Sequence, residues 1–497
     1  MNMIDTFYAW ISLIAGYVFC RVYPISENPL GGFIFIGGIF AVTTIVIILK
    51  GFRIKAPAIF AAASAIIVSA TLIISSNEFL SFFAYAYALV AFCYYIFAGT
   101  GNTLEHGFSD LIFIDYFKSL FVMPFTSLGN LFKGLFANTK KENRNVFLKF
   151  LLGIGLTIIP TAVVLALLSY DKNFSEILKN IFSFDFNDIW SHFMSINFAI
   201  PVGMYIFGLF SASTDKKCAD IITTESCERV ANNVKIAPTI TIISAIAPML
   251  FVYIIFFISQ WDYYISGFTD VLPEEFSYAE YAREGFFQLC AVSVINLIVI
   301  LLVVIFMKRK DNKPSVAAKI VTVIFSISTL ILISTALSKM FMYINYYGLT
   351  QLRVYSTWFM GVIAMIFVII ILKQFIPKFK ALVTTFIMCV VLFGTLGLLN
   401  VDSFIANYNV DRYLDGTIDK IDIELLKDLE DSAIPAMAKL YEALDEMDDL
   451  SEVDQKNFKT LEHVLTERAR IRENNPDPFW SYNLPYFKAK SVLEDYY

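Results

Sequence analysis

Charge is what this chain has least of. Asp, Glu, Lys and Arg make up 16% of 497 residues, against 57% hydrophobic, where a soluble protein carries roughly 25% charged residues. The shortage falls on the part before Asn400. Apolar runs of about 20 residues recur there, each long enough to cross a hydrocarbon core roughly 30 Å thick. Away from the end turns of those runs there is no Asp, Glu, Lys, Arg or His. That argues against proton relays, ion pumps and voltage sensors, which place such groups inside the membrane. Histidine is scarce too: His106, His192 and His463 stand far apart and form no metal-ligand pattern. Of six cysteines, Cys20, Cys93, Cys290 and Cys389 lie in or beside apolar runs, and Cys218 and Cys227 share a polar loop. None follows Asn400, so that part has no disulfide framework. No motif asks for a cofactor. The opening MNMIDTFYAWISLIAGYVFC has no basic n-region and no small-residue cleavage site, so it reads as a retained span.

What is present is an all-α, polytopic transmembrane bundle of about 11 spans, followed by a small helical soluble domain. The spans are expected near 7–24, 29–49, 56–76, 79–99, 147–169, 193–211, 236–260, 286–307, 317–338, 354–373 and 381–399. Helices are the spanning form, because each backbone group must find its partner inside its own segment. The bundle occupies 1–399 and the acidic domain 400–497. From Asn400 onward there are 11 Lys and Arg against 22 Asp and Glu, a net of −11. The whole chain is −6, so the bundle carries +5.

Lys and Arg set the orientation. The loops and span ends on one side hold 21 of them, among them Lys50, Arg53, Lys140, Arg144, Lys308 and Lys380. The other side holds 6: Arg21, Lys172, Lys179, Arg283, Lys339 and Arg353. This predicts a cytoplasmic N-terminus and an extracytoplasmic C-terminal domain.

Two segments are expected to lie in the interface. Residues 111–136 are apolar but broken by Asp115, Lys118, Pro124, Gly129 and Lys133, and fit two short amphipathic helices or a re-entrant hairpin. Residues 171–190 fit one more interfacial helix. Pro160, Pro201, Pro238 and Pro248 are expected inside spans, as kinks or as breaks around a midplane site. Asn197 and Asn296 are expected to hydrogen-bond between helices. In the last part, VDSFIANYNVDRYLDG reads as turns and caps. Helices are expected over Ile421–Leu429, Ile434–Leu444 and Asp454–Arg472, with a final helix near the end. Their core is expected to draw on Phe404, Tyr408, Leu425, Leu429, Leu440, Leu461, Val464, Trp480 and Leu484.

The stretch YYGLTQLRVYSTWFM (Tyr346–Met360) places a turn glycine, Gly348, and one cation, Arg353, among Tyr and Trp between two apolar runs. Arg353 stands on the cation-poor side. It is expected to pair with Glu280 or Glu284, with Tyr281, Tyr347, Tyr355 and Trp358 around it. That pair would pin two hairpins together or present a guanidinium to a phosphate or carboxylate ligand.

Three stretches, YGLTQLRVYSTWFM, YAEYAREGFF and IANYNVDRY followed by DSAIPA, together with the ending FWSYNLPYFKAKSVL, resemble bacterial polytopic membrane families of unknown function, the 4153/4173 type. The motifs cover roughly Val234–Tyr497, and the front part only by hydropathy. The resemblance implies a bacterial cytoplasmic membrane and supplies no catalytic residues.

Three functions remain in view. A sensor or scaffold would bind an envelope partner or ligand at its outer face, and the acidic domain suits it because a charged surface steers partners. A transporter or flippase of a lipophilic or zwitterionic substrate would use kinked helices and a charge-free interior. A membrane glycosyltransferase-like enzyme would need acids in an early outer loop, where RVYPISENPL offers Glu27 without a paired carboxylate. The partners expected are membrane lipids and an envelope or membrane protein, not nucleic acid. Glu442–Asp454 is acidic but lacks the ordered loop of a specific calcium site.

Overall fold

The computed structural model describes residues 3–22, 28–137, scattered positions between 153 and 171, 186–216, 221–259, 278–308, 315–447, 449–474 and 479–496; the side chains of 186–190 and 278–284 are outside it. The chain is all-helical. Among the described residues an isolated bridge between Ala237 and Met307 stands in place of any strand.

The elements are α1 (Met3–Val22), α2 (Pro29–Leu49), α3 (Ala56–Ser69), α4 (Thr71–Ile74), α5 (Glu78–Gly99), α6 (Ile112–Phe117) and α7 (Asn130–Leu135). There follow α8 (Phe186–Thr214), α9 (Thr224–Asn233), α10 (Thr239–Ser259), α11 (Tyr278–Phe306), α12 (Val316–Tyr347), α13 (Gln351–Phe375) and α14 (Ala381–Leu398). The last are α15 (Val401–Leu414), α16 (Ile423–Asp428), α17 (Ile434–Asp445), α18 (Glu452–Asn474) and α19 (Leu484–Leu493). Ten stretches among the described residues are long and apolar enough to cross a membrane. They match the expected spans except 147–169, most of which lies outside the described residues, as does most of 171–190.

Contacts divide the chain into two compact units. The first comprises Met1–Ala62, Leu89–Thr103 and Ile114–Ile221. Helices associating in lipid gain no hydrophobic driving force from one another, so small residues and polar side chains govern their contacts. Here Gly16 sits against the Ala199 carbonyl, and Gly203 against Ser12 and Leu13. Tyr8 and Thr43 share a hydrogen bond of 2.9 Å, and Lys50 at the end of α2 pairs with Asp5 in the first turn of α1. Residues 118–135 form a π turn, a 3-10 turn and α7, with Met123, Pro124, Asn130 and Leu131 buried. The Leu120 carbonyl accepts from Tyr205 at 2.9 Å, and Asn130 donates to Ser211 at 2.8 Å. Tyr205 and Ser211 are six residues apart on α8, about 9 Å along a helix, so between Leu120 and Asn130 the segment runs along α8 over that length.

The second unit comprises Ala63–Ala88, Leu104–Phe113 and Ile222–Tyr497. One apolar core runs through it, from Phe325, Met360 and Phe367 in the spans to Ile405, Leu440 and Leu461 beyond Asn400. Hairpins of long helices build the span region. Ser315, Thr350 and Asn400 cap α12, α13 and α15 with their side chains, and Gly348 ends α12 at φ 74°. Inside the bundle Asn296 accepts from the Tyr253 hydroxyl and donates to Thr329 at 3.0 Å, joining α10, α11 and α12. This is the interhelical role expected of Asn296. Asn197 differs: its amide turns back to the Phe193 carbonyl of its own helix, because that face is exposed. α8 and α10 run unbroken past Pro201 and Pro248, whereas Pro238 precedes α10.

The last helices differ from expectation at two points. VDSFIANYNVDRYL is one helix, α15, because Asn400 caps it and its Asp and Asn side chains bond to other elements instead of forming turns. Leu429, Leu440, Leu461 and Val464 are buried as expected, but Phe404, Trp480 and Leu484 are exposed. On α15 the inward stripe is Val401, Ile405 and Val410, which leaves Phe404 on the other face.

Gly208 lies where a Cβ would meet the Pro124 carbonyl at 2.7 Å. A Gly208→Leu substitution is expected to cost about 1–3 kcal/mol as overpacking and to push the 118–135 segment off α8. Thiol labelling at an introduced Ser127→Cys, over the background of the native cysteines, should be weak with Gly208 and strong with Leu. Equal labelling would contradict the packing described.

Candidate functional site

The polar groups missing from the spans gather where α5, α13 and α15 begin. Asp402, in the first turn of α15, is 2% exposed. Its carboxylate accepts from Asn77 Nδ2 at 2.9 and 3.1 Å and from Gln351 Nε2 at 2.8 Å. The Asn77 amide has its direction fixed, since its Oδ1 caps α5 by accepting from the Leu80 amide at 2.9 Å. The nitrogen is thereby turned toward Asp402. A buried carboxylate without such donors would be costly, and hydrogen bonds to a charged group contribute about 1.5–3 kcal/mol.

Two turns further along α15, Asn409 reads the loop between α12 and α13. Its Oδ1 accepts from the Leu349 amide at 2.7 Å and its Nδ2 donates to the Leu349 carbonyl at 2.9 Å. Gly348 is required there: its φ is 74°, and a Cβ would strike Asn409 Oδ1. Arg412 adds bonds to the Asn345 carbonyl at 3.0 Å and to Tyr408. Ser76 meets Ser432 at 2.8 Å, and Ser432 donates to the Asn400 side chain at 3.3 Å.

Ser76, Asn77, Gln351 and Asp402 border a pocket of about 310 Å³, whose lining is completed by Glu78, Phe79, Asp428, Leu429 and Glu430. Burial pushes the Asp402 carboxyl above its ordinary range, with the Asn77 and Gln351 bonds opposing. Partial desolvation, then the neighbouring Glu78 and Asp431 carboxylates, raise Glu430 in the same direction. Among the described residues no group of three or more His, Cys, Asp or Glu is placed to hold a metal ion.

The residues singled out in the sequence lie beside this clamp. Arg353 donates through Nη1 to the Gly348 carbonyl and to the Tyr347 carbonyl at 3.1 Å, and its Cζ lies 4.2 Å from the Tyr343 ring centre. Its described partners are therefore main-chain carbonyls and a ring. The side chains of Glu280, Tyr281 and Glu284 lie outside the described residues, and with them the expected ion pair. Tyr347 packs on Tyr343 and Tyr346, Tyr355 stacks on Phe79 at 5.3 Å, and Trp358 Nε1 donates to the Leu392 carbonyl at 3.2 Å. Asn77, Gln351, Asp402 and Asn409 escaped the sequence reading. Asn77 alone carried a signal, as an N-cap residue three positions before Leu80 in SSNEFL.

The family model described as Domain of unknown function (DUF4153) matches residues 62–440, more than half of the chain. The chain belongs to this family. No curated protein and no solved structure matches it. The DUF4153 match takes in both partners of each clamp bond, from Asn77 to Asn409, as well as Arg353.

Two outcomes follow for this DUF4153 protein. Gly348→Ala forces an L-residue into an extended positive-φ conformation (φ 74°, ψ −172°) that is essentially reserved for glycine, at about 1–3 kcal/mol, and dislodges Asn409. It should lower the unfolding midpoint in detergent, and an unchanged midpoint would contradict the clamp. The raised Asp402 pKa means the folded state holds this proton more tightly than the unfolded chain. Its stabilising effect is complete below the ordinary value of 3.8 and is lost as pH rises through the raised one. The stability of the wild type relative to Asp402→Asn should therefore increase as pH falls from neutral toward 3.8. A difference independent of pH would count against a buried, titrating Asp402.

Proposed function

We propose that this protein is a non-enzymatic sensor or scaffold of the bacterial cytoplasmic membrane, which receives an envelope partner or ligand on C-terminal helices held at the outer face. The asymmetry of 21 against 6 basic residues supports that orientation. The observation that carries the reading is the clamp. Asp402 and Asn409 tie the first helix after the last span to the start of α5 and to the turn between α12 and α13. A load on the C-terminal helices is thereby passed to the ends of several spans.

The bundle interior weighs against transport. The amide of Asn296 is spent on Tyr253 and Thr329, and Ser293, Ser326 and Thr335 donate to carbonyls one turn back on their own helices. Polar groups used in this way offer little to a passing substrate.

Photocrosslinking in intact cells from the exposed Glu462 and His463 positions of α18 tests the proposal. A discrete protein or ligand adduct is expected. Adducts with lipid alone, joined by substrate movement in vesicles holding the purified protein, would overturn it in favour of a transporter.

A further inference from the structure

A second cavity, separate from the clamp pocket, lies between α11, α12 and α13. It has a volume of about 270 Å³, and Phe287, Met340 and Leu352 give it apolar walls, with Tyr343, Thr350 and Arg353 at one end. Met340 is buried beneath it, whereas Phe287 and Leu352 are 45% and 63% exposed. Its height along the spans is fixed by sequence position. Phe287 is near the start of the apolar stretch Gly285–Phe306, Arg353 near the start of Gln351–Phe375, and Tyr343 near the end of Val316–Tyr347. Three spans thus bring the groove to the level where hydrocarbon gives way to headgroups.

The polar end is built for an anion. Arg353 spends Nη1 on two carbonyls, and the Tyr343 ring supports the guanidinium from below. Its Nε and Nη2 donate to no described residue, and a guanidinium presents these two in the fork that matches phosphate oxygens. In the first turn of α13 the Arg353 amide is taken by the Thr350 side chain, and the amides ahead of it, of Gln351 and Leu352, have no partner within the helix. A guanidinium fork above an apolar wall, at headgroup level, matches one kind of molecule. We propose that this groove holds an anionic phospholipid, its phosphate on Arg353 and an acyl chain along Leu352 and Phe287. The site goes beyond the sensor reading and stands without it.

The test compares lipid retained by the full-length protein in detergent, by native mass spectrometry. Phosphatidylglycerol and phosphatidylcholine of identical chains are the two probes, with soluble glycerol phosphate as competitor. The wild type should retain phosphatidylglycerol about fivefold better, the worth of one cation at a membrane surface, and glycerol phosphate should not displace it. Arg353→Gln should abolish the preference. Leu352→Trp fills the groove without touching the guanidinium. It should lower retention of both lipids while the unfolding midpoint in lipid-free detergent stays unchanged. Equal retention of the two lipids by the wild type, displacement by glycerol phosphate, or a preference intact in Arg353→Gln would overturn the proposal. Should Arg353→Gln fail to fold, undiminished phosphatidylglycerol retention by Leu352→Trp would overturn it as well.

Discussion

A carboxylate can be buried only if the fold brings donors to it, and in the second unit that condition fixes the geometry of a whole junction. Asp402 is nearly sealed from solvent, yet both of its oxygens are engaged by amides from α5 and α13. The start of α15 is thereby placed against the starts of two spans. Asn409 extends the grip by holding the main chain of Leu349 in a turn that Gly348 alone can make there. Removing one partner of such a set leaves the others buried and unpaired, so its cost exceeds the value of any single bond.

The same economy appears throughout the spans. Lipid is as apolar as the helix surfaces, so specificity rests on close approach and on a few polar contacts. In the second unit Gly397 lies so near Thr71 that a side chain could not be added, and Asn296 joins three helices. Beyond Asn400 the apolar core continues without interruption into α15, α17 and α18. A chain that spends so little charge inside its bundle concentrates it at the span ends, where a carboxylate can be both desolvated and satisfied.

How much of this could be read from residues alone depends on the range of the interactions. Spans announce themselves locally, through length and hydropathy, and ten of those expected are present among the described residues. Gly348 and the helix caps are local too. The clamp is not: Asn77 and Asp402 lie 325 positions apart, and Asp402 within VDSFIANYNVDRYL looks like a turn or cap residue. Arg353 stood out as a cation on the wrong side, but carbonyls, which every residue has, leave no mark in a sequence. Phe404, Trp480 and Leu484 were expected inside because they are large and apolar. Helix phase and the position of the final segment put them outside, and neither is visible in composition.

The clamp itself is tested most directly by a double-mutant cycle on Asn77→Ala and Asp402→Ala, read as unfolding free energy in mixed micelles. Residues in one buried hydrogen-bond network couple by roughly 0.5–3 kcal/mol, whereas independent sites add to within about 0.5 kcal/mol. A coupling above about 1 kcal/mol is the result that a shared buried bond requires. Additive losses from the two substitutions would contradict the account, because Asp402 would then owe nothing to the amide that faces it.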